Sequence, residues 1–384
     1  MHICFLCDEY PPGLHGGIGS MTQTLGRAFV RRGHSVTVLG MMRAQPAGET
    51  DDNGVRVIRL PHAALARTGF VVNGHRQRVT LKRIQRERPI DLVDGPEGSL
   101  AALPRSFVAP KVIRMNGGHH FFATTLGKAP SPWRGWLERR SFQRADYLCA
   151  VSEFVGETTR RLLRLGNRPI ETLRNPIDTS RFAPMPDVPE EEGLIVFVGT
   201  VCEKKGVRQL VEAMSRIVEA VPTAHLWIVG RDWRDPESGT SFTEKLRGSI
   251  PHGIESKVVF RGPVAQEDLP QILARASVCI YPSHMEALPI AWLEGLAMGK
   301  AVVAASTGPG SEVIEDGISG LLCNPHDPGS IAERVILALR DEPLRKRLGA
   351  EARRRAVDRF SVEALVDRNL AFYARCIRDW NART

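Results

Sequence analysis

Short apolar runs alternate with helix-length stretches along nearly the whole chain, and the alternation is interrupted once. Residues 3–7 read as a buried strand, and 35–39, 55–60, 91–94, 112–115, 147–151 and 171–174 as further strands. Pro184, Pro186, Pro189 and the run Glu190, Glu191, Glu192 then mark a linker. Strands resume at 194–198, 225–229, 258–260, 277–281 and 301–305. Strands separated by helices pair in parallel, because each crossover must carry the chain back along the sheet. Two such series predict two doubly wound α/β domains, residues 1–184 and 185–360. Residues 327–382 read as almost wholly helical, and a terminal helix at 361–384 is expected to pack back on the first domain. A chain of 384 residues with 42% apolar content can fill two cores.

Chemistry concentrates between Tyr281 and Gly299. An apolar run ends at Tyr281, a turn follows, and a helix is predicted over 290–298, with Pro289 at its first position and Gly299 as its stop. Glu286 stands on the loop at the helix mouth and Glu294 one turn inside. A helix N-terminus suits an anion. Ionised carboxylates beside it suit hydroxyls, since they only accept hydrogen bonds. An anion joined to a polyol describes a nucleotide-sugar. The alternative is a pair of solvated helix charges. Against it stands the position, since open α/β sheets bind ligands in a strand–loop–helix crevice.

Other loops fit the same reading. Gly13, Gly16, Gly17 and Gly19 precede a helix predicted at 20–32, so backbone N–H groups can approach a phosphate; a plain tight turn is the alternative. Their spacing is not the Gly-x-Gly-x-x-Gly of dinucleotide folds. Lys204 and Lys205 sit just before a helix predicted at 207–221, where an ammonium can hold a phosphate as a point charge. Residues 307–312 form another glycine-rich loop. Asn116, Gly117, Gly118, His119 and His120 follow a strand, and the histidine pair could act as acid and base. No third ligand stands at helical spacing, so no metal is expected.

Cys4 and Cys7 lie inside a strand run and read as core rather than as a redox pair. Seven cysteines, mostly in apolar stretches, fit a reducing cytoplasm without a disulfide framework. No apolar run is long enough to span a bilayer, and the N-terminus lacks the basic and cleavage features of a signal peptide. Residues 1–180 hold 26 Lys/Arg against 15 Asp/Glu, while residues 181–384 hold 26 against 28, so the basicity belongs to the first half. No nucleic-acid motif accompanies it and aromatics are 6%, which favours an anionic membrane or acceptor over nucleic acid. The stretch 75–88 is basic with a thin apolar stripe and reads as a solvated helix or a lipid contact. At 133–144, Trp133 and Trp136 stand among arginines. That mixture suits an interface, although core packing is the expected role of both indoles.

Taken together, these motifs resemble the retaining glycosyltransferases of family 4, which have the GT-B fold. The resemblance rests on Glu286-x7-Glu294 after a strand ending in Pro-Ser, on the Phe-Val-Gly … Lys-Gly segment at 197–206, and on Gly308 to Ile314. It rests also on the Asp-Gly-x-x-Gly-Leu-Leu turn at 316–322 and on Gly16-Gly17. It spans the chain and is strongest over 196–325. The fold implied is two Rossmann-like domains facing a central cleft. Residue by residue, Gly17 beside Gly16 approaches the donor by its backbone. Lys205 holds the donor diphosphate and Glu286 binds a hydroxyl of the transferred sugar, and these two are the implied catalytic pair. Leu288 to Ile290 offer backbone N–H groups in a donor turn that includes Ala287 and Pro289. Glu294 takes the ribose diol, and Arg261-Gly262 lie where the base would stack or bond.

Three departures stand out. Thr200 replaces a frequent arginine, with Lys204 or Arg231 as stand-ins. Asn116 replaces a histidine on the acceptor side, with His119 or His120 nearby. Ala287 and Pro289 replace glycines. There is no Asp-x-Asp, so Lys205 and helix N-termini are expected to neutralise the leaving diphosphate without metal or cofactor. The implied activity is transfer of a sugar from a nucleotide-diphosphate donor, UDP before GDP, to a glycan, lipid-linked or polysaccharide acceptor of the cell envelope. The expected location is the cytoplasm, peripheral at the inner face of the membrane. The rival readings are a nucleotide-sugar 2-epimerase of similar fold and a non-catalytic module that binds membranes or anionic polymers.

Overall fold

The computed structural model describes residues 1–13, 15–42, 45–64 and 69–383. They form two compact units, Met1–Pro176 with Val362–Thr384, and Ile177–Ser361. The chain leaves the first unit at Pro176, so the proline-rich stretch 184–192 lies within the second unit rather than between the two.

The first unit is built on eight strands: β1 (His2–Leu6), β2 (Ser35–Gly40), β3 (Gly48–Asp52), β4 (Val55–Arg59), β5 (Leu92–Gly95), β6 (Lys111–Met115), β7 (Tyr147–Ala150) and β8 (Ile170–Thr172). Their order is β3-β4-β2-β1-β5-β6-β7-β8. All pairs are parallel except β3 with β4, which join through Asn53 and Gly54, both at positive φ. Asn-Gly is the preferred pair for such a two-residue hairpin turn. β3 is absent from the sequence reading because its residues, Gly-Glu-Thr-Asp-Asp, are polar and mostly exposed on the sheet edge. The helices here are α1 (Gly17–Arg31), α2 (Gly69–Glu87), α3 (His119–Thr125), α4 (Pro132–Phe142) and α5 (Glu153–Leu163). α1 starts at Gly17 rather than Ser20, so two of the loop glycines form its first turn and Gly16 is its N-cap.

The second unit carries β9 (Leu194–Val198), β10 (His225–Val229), β11 (Val258–Gly262), β12 (Val278–Tyr281), β13 (Ala301–Ala305) and β14 (Leu321–Cys323). They form one parallel sheet ordered β11-β10-β9-β12-β13-β14. Its helices are α6 (Val207–Ala220), α7 (Phe242–Arg247), α8 (Leu269–Arg275), α9 (Ile290–Ala297), α10 (Gly310–Val313), α11 (Pro328–Arg340) and α12 (Glu342–Phe360). The four central strands, β10, β9, β12 and β13, are almost wholly buried, as parallel strands covered on both faces must be. α6 turns Val207, Leu210, Val211, Met214 and Ile217 inward, a 3.6-residue stripe.

The last helix, α13 (Val362–Asn381), belongs to the first unit. Its Tyr373 ring meets Phe29 of α1 edge-on at 5.9 Å. Beneath it lies a buried polar cluster. Arg114 Nη2 donates to Asn369 Oδ1 and the Tyr373 hydroxyl oxygen, each at 2.9 Å, and to Asp94 Oδ2 at 3.2 Å, while the Tyr373 hydroxyl donates to Asp94. A buried guanidinium without these partners would carry its full desolvation cost.

Candidate active site

In the second sheet the chain runs from β9 outward through β10 to β11, then returns to β9's other side with β12 and continues to β14. The direction of winding therefore reverses between β9 and β12, and open α/β sheets bind ligands at the carboxyl ends of strands at such a point. The two loops leaving these strands are locked together. Gly206 has φ +67°, and a Cβ there would lie 1.8 Å from the carbonyl oxygen of Pro282, so only glycine permits the approach. A second tie runs from the His284 N–H to the Lys204 carbonyl, at 2.8 Å.

Across that junction the Lys205 ammonium forms an ion pair with Glu286 Oε1. Burial works to raise the Glu286 carboxyl, but Lys205 and Lys204, with hydrogen bonds from Lys205 and Ser283, outweigh it and hold the group below its usual range. The Lys204 ammonium is pushed down, chiefly by burial and also by Lys205, against the pull of Glu286. Arg231 Nε donates to the Thr200 hydroxyl at 3.4 Å, so this arginine reaches the residue that stands where a cation was expected.

Pro289 is the N-cap of α9, in extended conformation, rather than its first helical residue. It has no N–H, so the donors at this helix mouth are Ile290 and Ala291. Ala287 and Leu288 are buried in the preceding turn. Glu294 lies in α9 at 6% exposure, and among the described residues its carboxylate has no hydrogen bond or ion pair. Burial raises it to about 7, with only the charge of Arg181 opposing. An unpartnered buried carboxylate is a rare feature that calls for a ligand or a cost.

Arg261 is not joined to this group among the described residues. Its guanidinium lies over the Trp227 ring at 4.3 Å, and Arg275 takes another position over the same ring at 4.7 Å. Gly262 stays at the carboxyl end of the sheet, where its carbonyl accepts the Gly230 N–H at 2.9 Å. His284, not singled out in the sequence, sits within the Lys205–Glu286 loop pair. Its Nε2 meets Gln209 at 3.1 Å and its ring lies 4.3 Å from that of His326. Nothing in the spacing of Gln209, His284 and His326 signals this meeting.

The first unit brings Gly16 and Gly17 to the start of α1, where Glu9 Oε1 accepts the Gly19 N–H at 3.0 Å. It also gathers Asn116, His119 and His120, but each is already engaged. Asn116 donates its N–H to Glu97 at 2.7 Å and its amide to the Arg114 carbonyl at 2.9 Å. His119 Nε2 accepts the Ser131 N–H at 2.7 Å, which places that ring's proton on Nδ1. His120 pairs through Nδ1 with Glu138, which also accepts the His120 N–H at 2.9 Å. Glu97 and Glu138, both buried, were missed by the sequence reading. Their only signal is the Gly117-Gly118 pair, since a Cβ on Gly118 would lie 1.8 Å from Glu138 Oε1. Burial, reinforced by Glu138, raises Glu97 to about 8. Among the described residues no three His, Cys, Asp or Glu side chains come together as a metal site.

Two doubly wound sheets, parallel throughout except for the β3–β4 edge pair, are the architecture of the GT-B fold class. The Anabaena protein HepE, solved with UDP and glucose, has that fold and superposes with a TM-score of 0.75, at 17% identity, over 98% of this chain and 100% of its own. The particular family follows from sequence models. Glycosyltransferase Family 4 matches residues 15–181 and Glycosyl transferases group 1 matches residues 179–355, and the chain belongs to family 4. The glycogen synthase of Mycobacterium tuberculosis is 26% identical, over 97% of this chain and 94% of its own. A GDP-mannose-dependent phosphatidylinositol monomannoside mannosyltransferase of Mycolicibacterium smegmatis is 28% identical, over 91% and 92%.

Proposed function

We propose that this glycosyltransferase moves a sugar from a nucleotide-diphosphate donor, UDP in preference to GDP, onto a glycan or lipid-linked acceptor of the cell envelope. It does so with retention and without a metal, in the cytoplasm. The observation that carries the reading is the Lys205–Glu286 pair at the β9/β12 switch point, on the loop that leads into the helix bearing the unpartnered Glu294. UDP is placed first because HepE was solved with it; the mannosyltransferase relative uses GDP-mannose and keeps GDP second. The seven cysteines are free thiols, which suits a reducing compartment. No helix among the described residues is long and apolar enough to cross a membrane.

Cleaving a glycosyl–diphosphate bond leaves positive charge on the sugar and negative charge on the departing phosphates. Lys205 and the α9 N-terminus neutralise the second. Donor arrival exchanges the Lys205–Glu286 pair for a Lys205–phosphate pair and frees Glu286 to accept from a sugar hydroxyl. Arg231, beside Thr200, supplies a further cation. Glu294 accepts from the ribose diol. Lys205→Ala should lower turnover by about 10²–10³-fold, as loss of an electrostatic stabiliser does. A change of tenfold or less in single-turnover transfer assays would shift the role to Lys204 or Arg231. Incubating donor without acceptor tests the 2-epimerase alternative, and recovery of an epimer would replace the transferase reading.

A further inference from the structure

α4 is built inside out. Its buried face carries Gly135, Glu138, Ser141 and Phe142, with Glu138 at 3% exposure, while Trp133 and Trp136 stand outward at 51% and 46%. The reason is local: Glu138 must point inward to hold the His120 ring and backbone N–H, and that turn of the helix sends both indoles into solvent. The expected core role of the tryptophans is therefore not met. Their rings stack with centroids 5.2 Å apart, and Phe70 of α2 meets them edge-on at 5.8 and 6.4 Å. Val71, the next residue of α2, is 62% exposed. Together they make one exposed apolar patch from two helices.

Cations rim it. The Arg140 guanidinium lies over the Trp136 ring at 5.4 Å. Arg144 is pushed down by burial and by the nearby charges of Arg140 and Arg105. The one acid on α4 is spent on His120, and among the described residues Arg105, Arg134, Arg139, Arg140 and Arg144 form no ion pair. Exposed aromatics cost free energy in water and are at home where headgroups meet acyl chains. Unbalanced arginines gain from anionic headgroups. A sugar-binding platform would instead need side-chain acceptors for hydroxyls, and the one carboxylate of α4 faces inward.

We propose that the patch formed by Phe70, Val71, Trp133 and Trp136, with its arginine rim, docks the protein onto an anionic lipid bilayer, the aromatic rings entering the headgroup layer. This surface shares no residue with the proposed donor site, so its test does not depend on catalysis. The full chain should co-sediment with phosphatidylcholine vesicles containing a third phosphatidylglycerol and not with phosphatidylcholine alone. Trp133→Ser with Trp136→Ser should lower vesicle affinity roughly tenfold or more, and Arg134→Ser with Arg139→Ser should do the same in low salt. Both double variants should keep the wild-type thermal midpoint and nucleotide affinity, since these side chains are exposed. Vesicle binding unchanged in the tryptophan variant, or absent in the wild type, overturns the proposal. So does concentration-dependent self-association without lipid that the tryptophan variant abolishes, which would make the occupant a second copy. Lipid-independent binding of an anionic polysaccharide, lost in the same variant, would name a different partner and overturn it too.

Discussion

Glu294 combines a functional assignment with a measurable thermodynamic signature. Burial lifts its carboxyl from the ordinary 4.5 to about 7, and the charge of Arg181 recovers only part of the penalty. Below about pH 4.5 the group is protonated in folded and unfolded chains alike. Between 4.5 and about 7 the unfolded chain releases its proton while the folded chain keeps it, so stability falls as pH rises through that window. Above about 7 the loss is complete, on the order of 3 kcal/mol. Glu294→Gln removes that loss. The variant should melt higher than the wild type at pH 8 and near the wild type at pH 5, read by calorimetry. The same variant should bind UDP more weakly by roughly 1.5–3 kcal/mol, because an amide is a poorer acceptor for a ribose diol than a carboxylate. UDP affinity in the wild type should rise from pH 6 to 8 more steeply than in Glu294→Gln, which shares the titration of the phosphate. A variant both more stable and weaker in binding marks strain kept for function. Equal UDP affinity would remove Glu294 from the donor site.

At the scale of elements, the site depends on how two loops are held, and Gly206 holds them. A methyl group there meets the Pro282 carbonyl at 1.8 Å and is strained at φ +67° as well. The two loops must part, which separates Lys205 from Glu286. Gly206→Ala should therefore cut turnover by about 100-fold or more, although no charged group is removed. Transfer assays beside a circular dichroism spectrum of the folded variant check this, and near-normal turnover would mean that the loops need not touch. The elements bearing this site were readable because their punctuation is local: Pro289 and Gly299 bracket α9, and Lys205 stands one residue before Gly206. The apolar runs located most of the buried parallel strands for the same reason. β3 escaped because an exposed edge strand needs no apolar alternation. β14 was read as part of a turn because it spans only Leu321–Cys323. Glu97, Glu138 and His284 escaped for a different reason. Each meets its partners through the sheet topology, and no sequence spacing encodes that Glu138 will lie under Gly118. The orientation of α4 followed from the same hidden contact, so the indoles could not be placed outward without it.

At the scale of the whole molecule, the two units differ in how the chain supplies them. Residues 177–361 are one continuous stretch, and every member of the second core cluster lies within it. The first core borrows Val362, Val366, Phe372, Tyr373 and Cys376 from α13, beyond the entire second unit. It also borrows Asn369 and Tyr373 as partners for the buried Arg114. Without α13, Arg114 and Asp94 face each other with most of their polar neighbours gone, and an apolar stripe opens over α1. Breaking one partner of such a buried charge group typically costs about 3–5 kcal/mol, comparable to much of a domain's net stability. Residues 177–361 expressed alone should therefore unfold in one cooperative transition. Residues 1–176 alone should not, while the same segment joined by a short flexible linker to 362–384 should regain one. Thermal melts followed by circular dichroism separate these outcomes. Cooperative folding of 1–176 alone would show that α13 caps the first core without completing it, and that the Arg114 cluster contributes little to stability.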